Sequence, residues 1–176
     1  MRLGPMRLGP MKLGAKKLIA FRVLPALALL LAVGAGVLKY LDSSAQAAQR
    51  AATESVEAAR QTTQAILSYR ADTVDKDLNA ARDRLTGTFL DSYTTLINET
   101  VIPGAKEKKI STDAKVPAAA SVSATSTHAV VLVFVNQTVT MASGDKPSAP
   151  TMTPSSVRVT LDKVDGRWLV SGFDPV

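Results

Sequence analysis

The chain of 176 residues contains no cysteine. That absence excludes disulfides, thiolate metal sites, covalent haem attachment and cysteine nucleophiles together. A single histidine, His128, is too few for a histidine-built zinc or iron centre. Aromatic residues make up only 5% of the chain and include one tryptophan, Trp168, which is expected to serve as core. H-E-x-x-H, G-x-S-x-G, P-loop and G-x-G-x-x-G patterns are all missing. Acid is missing from one end. The first 22 residues carry Arg2, Arg7, Lys12, Lys16, Lys17 and Arg22 with no Asp or Glu, and removing these six from the chain's 21 basic residues leaves 15 against 15 acidic. The formal charge of +6 is therefore the property of a short leader, and a nucleic-acid partner loses its main support.

The leader begins MRLGP-MRLGP-MKLGA, a pentapeptide written three times. Gly and Pro at this density oppose a stable helix, so residues 1–17 are expected to form a disordered cytoplasmic tail. An uncharged run from Val23 to Leu38 follows, with apolar flanks that extend it to 18–41. Sixteen helical residues rise about 24 Å, short of the ~30 Å hydrocarbon core, but Arg22 and Lys39 can snorkel to the headgroups. Phe21 and Tyr40 sit where interfacial aromatics are found. The expected transmembrane anchor is built on Val23, Leu24, Leu27, Leu30, Leu31, Val33, Val37 and Leu38. The leader's charges place the N-terminus in the cytoplasm and the remainder outside a single-pass plasma (inner) membrane segment. The alternative is a signal peptide cleaved at Ala45-Gln46-Ala47, which also exports the rest.

Residues 42–70 are rich in helix formers and are expected to form a helical stalk. Ala45, Ala52, Val56, Ala59, Thr63 and Ile66 recur at helical spacing and make a narrow stripe of mostly small residues suited to a partner helix. The competing reading is a solvated stalk whose last two turns dock on the domain. The region 71–176 is expected to be one extracytoplasmic domain. Asp72-Thr73 offers an N-cap before a helix with Val74, Leu78, Ala81 and Leu85 on one face. A further helix places Phe89, Tyr93, Leu96, Ile97 and Thr100 together and should end before Pro103-Gly104. Asp72, Asp75 and Asp77 are explained as dipole-matched acids at a helix start rather than as metal ligands.

After Lys106–Lys109 the apolar period changes from 3.6 to 2. Strands are expected over Lys115–Ser126, with Pro117 at a start or an edge, and from Ala129 through Met141. The second is apolar at alternate and intervening positions over Ala129–Val135, which predicts a central strand covered on both faces. Ala142–Pro154 is expected as a mobile loop, Val157–Asp162 as a half-buried strand, Asp165-Gly166 as a hairpin turn, and Arg167–Ser171 as the last strand. Helices followed by four antiparallel strands make an α+β domain, with the helices on one face of a curved sheet. About 105 residues suffice for such a core without disulfides.

Three stretches resemble a known family: Thr86-Gly87-Thr88-Phe89 ahead of Tyr93, Ala129–Val135 followed by Asn136-Gln137, and the ending Val164-Asp165-Gly166-Arg167-Trp168-Leu169-Val170-Ser171-Gly172-Phe173-Asp174-Pro175-Val176. With one N-terminal anchor, this order is similar to the Mce-associated membrane proteins, encoded beside actinobacterial mammalian-cell-entry lipid importers. The resemblance covers about 18–176. It implies a cone-like fold of the nuclear-transport-factor-like superfamily, similar to the periplasmic domains of VirB-type secretion scaffolds. It also implies a role in stabilising or assembling Mce complexes, with importer subunits and the membrane as partners, no cofactor and no catalytic residues to carry over.

The expected function is accordingly a non-enzymatic accessory subunit of an Mce-type lipid importer in the cell envelope, with no metal or cofactor. The alternative is a cone that binds a lipid or small molecule. An enzyme on this fold would draw on Tyr69, Tyr93, Asp72 and His128. Tyr93 is more simply a core ring, and His128, at the opening of a strand, a solvent-facing imidazole. An open apolar pocket with Tyr93 or an inward Asp at its mouth would favour ligand binding, and a filled interior with no polar group pointing inward would favour the scaffold.

Overall fold

The computed structural model describes Lys39 and residues 45–143 and 146–176. The anchor positions Val23, Leu24, Leu27, Leu30, Leu31, Val33, Val37 and Leu38 lie outside the described residues, as does the whole of the expected tail, residues 1–17. No helix among the described residues is long and apolar enough to cross a membrane.

One compact unit spans Ala45–Val176. It opens with helix α1, residues 45–67, followed by α2 (Val74–Ala81), a 3-10 turn (Arg82–Arg84) and α3 (Gly87–Leu96). Next come a π-helical turn (Ile97–Val101) and α4 (Ile102–Glu107). The strands are β1 (Ile110–Ala124), β2 (His128–Ser143), the two-residue β3 (Lys146–Pro147), β4 (Thr151–Val164) and β5 (Arg167–Pro175). They form an antiparallel sheet in the order β1-β2-β4-β5, with β3 paired to the end of β2. The expected α+β class, with helices and a four-stranded antiparallel sheet, is what the chain adopts.

The core lies between the helices and one face of the sheet. Ala129, Val131, Val133 and Val135 of β2, Val157, Val159 and Leu161 of β4, and Val170 of β5 are all buried. Each fully buried Val or Leu contributes about 1.5–3 kcal/mol, as an upper estimate. Against them pack Val74, Leu78 and Ala81 of α2 with Leu85 just beyond it, the face expected from their spacing. Thr73 precedes α2 without capping a backbone N–H; its hydroxyl instead donates to Asp77 at 2.6 Å. Asp75 pairs with Lys106 and Asp72 with the Arg70 guanidinium, while Asp77 accepts from Thr73 and from the Arg70 backbone N–H.

Four expectations are corrected. First, α1 is not a stalk that docks only by its last two turns. Ala51, Ser55, Ala59, Thr62, Thr63 and Ile66 are buried, so it belongs to the domain for most of its length. Small side chains let its backbone approach the sheet closely, and Arg60 reaches the Val116 carbonyl at 2.9 Å. Second, the helix after Gly87 does not end before Pro103-Gly104. The π turn inserts one residue, so the buried positions run Tyr93, Ile97, Ile102, Ala105, with a step of five in the middle. Thr100 is thereby turned outward, and Leu96, at the end of α3, is exposed as well. Pro103 falls directly after the π turn, in the first turn of α4.

Third, β2 is central but covered on one face only. Phe134 is 46% exposed, while Val130 and Leu132 beside it are half-buried. Fourth, the strands run further than their patterns suggest. β1 starts at Ile110, opposite Met141 of β2, and Tyr69 and Thr112 exchange two backbone hydrogen bonds, 3.0 and 2.8 Å, tying the segment after α1 to its outer edge. β2 and β4 extend into the stretch expected as a loop, leaving less of Ala142–Pro154 irregular. Pro117 lies where the β1–β2 register shifts on an edge strand, a site that spares it a ladder hydrogen bond. Asp165 and Gly166, with φ of 49° and 78°, make the expected tight hairpin.

Candidate binding cavity and surface sites

The cavity is built where the helical layer meets the end of the sheet. Ile66 and Leu67 close α1, and Tyr69 follows as the chain joins β1. Leu78 projects from α2, Phe89 and Tyr93 from α3, and Phe173 from β5. Phe89 stacks on Phe173 with centroids 6.0 Å apart and 16° between planes, and lies tilted against Tyr93 at 6.2 Å. These rings frame a cavity of about 400 Å³. Leu96, 54% exposed, also lines it and so marks its mouth.

Polar groups at the cavity are few and none is charged: Tyr69, Ser92, Tyr93 and Gln137. The Tyr93 hydroxyl faces the Leu78 carbonyl at 3.4 Å, and Ser92 donates to the Thr88 carbonyl at 2.9 Å. Burial pushes the Tyr93 phenol well above its ordinary value of 10.0, so it stays protonated. Burial also raises Tyr69, partly offset by hydrogen bonding with Thr112.

The four residues singled out for acid–base work are not brought together. Tyr69 and Tyr93 line the cavity, whereas Asp72 does not and pairs with Arg70 in solvent. His128 stands at the start of β2, exposed as expected, with Nδ1 2.7 Å from Asp162. Hydrogen bonds from Ser171, then His128, hold the Asp162 carboxyl below its ordinary value.

Of the proposed partner stripe, Ala59, Thr63 and Ile66 are buried within this chain's own core. Ala52 and Val56 are half-buried, and Ala45 is exposed. A stripe of small residues has the same spacing whether it meets a partner or its own sheet. Trp168 is core, as expected, and its role was not readable from spacing. Its indole N–H donates to Glu54 at 3.1 Å, Lys163 donates to the same oxygen at 2.9 Å, and the Lys163 ammonium lies 5.2 Å from the ring centroid. This junction joins α1 to β4 and β5. Gln137 and Phe173 of the cavity had no signal beyond lying in the stretches that carry the family resemblance.

A family model described as "Uncharacterized protein Rv1363c/MT1408-like" matches residues 18–175. The protein called Outer membrane protein Rv1973 of Mycobacterium tuberculosis (strain ATCC 25618 / H37Rv) is 56% identical over 158 residues, covering 90% of this chain and 96% of that one. Among solved structures, an IcmL-like type IV secretion system protein from Legionella pneumophila superposes with a TM-score of 0.54 at 8% identity, over 69% of this chain and 88% of its own. The periplasmic domain of DotI gives 0.53 at 17% identity, over 69% and 91%. At these identities the structural likenesses establish the fold alone. The match over nearly the whole length, together with the 56% relative, shows that the chain belongs to the Rv1363c/MT1408-like family.

Proposed function

We propose that this protein is a non-enzymatic accessory subunit of the cell envelope, held at the plasma membrane by its apolar segment 18–41. In this reading it works by contact with subunits of an Mce-type lipid importer, and its fold is the cone-like, nuclear-transport-factor-like one. The observation that carries the reading is the outer face of the sheet. Val130, Leu132 and Phe134 of β2 line up there, with Ala120 and Ala118 of β1 opposite Leu132 and Phe134. An apolar strip on the open side of a tethered domain suits weak protein contacts, because tethering raises effective concentration.

The envelope setting is supported by a 56% identical relative called an outer membrane protein and by fold neighbours titled as periplasmic and secretion-system domains. The separation of Asp72 and His128 from Tyr93 supports a role without chemistry. The test is purification of the tagged full chain from native membranes. Importer subunits should copurify with it, should be lost with Phe134→Glu, and should fall in abundance when the gene is deleted. Unchanged importer levels on deletion, with no copurification, would refute the proposal.

A further inference from the structure

The cavity under α3 is the open apolar pocket at Tyr93 that favours ligand binding, and it offers a function separate from assembly. Its volume of about 400 Å³ lies within the range of ~300–1,000 Å³ typical of small-molecule sites. Ile66, Leu78, Phe89, Ile97 and Phe173 supply an apolar wall. The π turn contributes to this space. Its first residue, Ile97, and its last, Val101, both line the cavity, while the inserted residue brings Ile102 rather than Thr100 into the core. Apolar walls without a packing partner forgo dispersion contacts, which a ligand's methylene groups would restore.

The polar inventory selects the ligand's charge. No Asp, Glu, Lys, Arg or His is among the lining residues, so a carboxylate, phosphate or ammonium drawn inside would lose its hydration without compensation. A hydroxyl is matched. Ser92 and Tyr93 already donate to backbone carbonyls, but their oxygens retain acceptor capacity. The Gln137 amide both donates and accepts. We propose that the cavity binds an uncharged lipid alcohol, with its apolar body against the Phe89–Phe173 wall and its hydroxyl toward Ser92 and Gln137. The two tyrosine hydroxyls serve as neutral hydrogen-bonding groups, and nothing is transformed.

The experiment uses the full chain reconstituted in phosphatidylcholine nanodiscs, a photoactivatable diazirine-bearing hexadecanol, and peptide mapping of the adducts. The corresponding diazirine-bearing hexadecanoic acid at neutral pH is the charged comparison. The alcohol should label peptides containing Phe89–Ile97 and Phe173. Leu96→Trp, at the exposed rim, should reduce that labelling by about tenfold or more, and labelling of the N-terminal apolar segment by bilayer-dissolved probe should stay unchanged as an internal reference. Ser92→Phe, also at an exposed position, should do the same, so the result does not hang on one variant. The acid should label the cavity at least about tenfold less than the alcohol. Equal labelling by acid and alcohol, labelling indifferent to both variants, or adducts confined to the N-terminal segment would each overturn the assignment. None of these readouts depends on an importer being present.

Discussion

Two buried threonines allow the same chemical change to be made with opposite expected signs. Thr63, on α1, is completely buried, and its hydroxyl has no hydrogen-bond partner among the described residues. Thr112, on β1, is 8% exposed, and its hydroxyl donates to the Leu67 carbonyl at 2.6 Å. Replacing Thr by Val keeps the β-branched shape and exchanges a hydroxyl for a methyl. Helix propensities of the two are nearly equal, so the comparison at Thr63 isolates the hydroxyl. A buried group without a partner costs about 1–3 kcal/mol, which Thr63→Val should return as added stability. Thr112→Val should instead lose about 1–2 kcal/mol, since it removes a net favourable bond and strands an acceptor. Urea unfolding followed by Trp168, the chain's single tryptophan, reads both. With m near ~2 kcal/mol/M, the midpoint should rise by about 0.5–1.5 M for Thr63→Val and fall by about 0.5–1 M for Thr112→Val, with m unchanged. A fall in midpoint for Thr63→Val would show that the methyl does not fit where the hydroxyl sits, and would refute the reasoning from satisfaction alone.

Two further outcomes follow from the turn and from the α1 junction. Gly166 has φ +78° and open space where a Cβ would stand, so Gly166→Ala should cost only the left-handed backbone penalty, about 1–2 kcal/mol in the same urea assay. Glu54 is held below its ordinary value of 4.5, first by the Lys163 hydrogen bond and then by Trp168, so its stabilising contribution is complete above that pH. It should be lost as the pH falls through the lowered folded value. The stability difference between the protein and Glu54→Gln should therefore be constant near neutral pH and shrink in acid. Asp162 shifts in the same direction in both forms and cancels from that difference.

Much of the domain was legible because its signals are local. Val74, Leu78, Ala81 and Leu85 sit at helical spacing, and Asp165-Gly166 supplies the two positive φ values that a tight hairpin needs. The order of helices before strands follows from one change of period near Lys109. The cavity was hidden for the opposite reason. Its walls come from α1, α2, α3, the π turn, β2 and β5, and no short window contains two of its distant walls. The π turn is similarly opaque. One inserted residue breaks the stripe Tyr93, Ile97, Ile102, and a regular 3.6-residue period recruits Leu96 and Thr100 in place of Ile102. The junction of Glu54 with Lys163 and Trp168 spans more than a hundred residues of chain and leaves no periodic trace.

The error over β2 is the most informative. A strand apolar at every position from Ala129 to Val135 implies two covered faces, because burial of both is the commonest reason to avoid polar residues there. The helices cover one. On the other face Phe134 stands 46% exposed, between Ala118 on β1 and Ser156 on β4. Neither neighbour is large enough to shield the ring. Stability of the isolated domain gives no reason for Phe at that position, since a Thr would serve a half-exposed strand equally well. The proposed importer contact would account for an outward apolar strip on β2, flanked by Ala118 and Ala120 on β1 and by Ser156 and Arg158 on β4. On that proposal substitution here should separate function from folding: Phe134→Glu should keep stability within about 0.5 kcal/mol, a shift in urea midpoint of no more than about 0.25 M, while abolishing copurification.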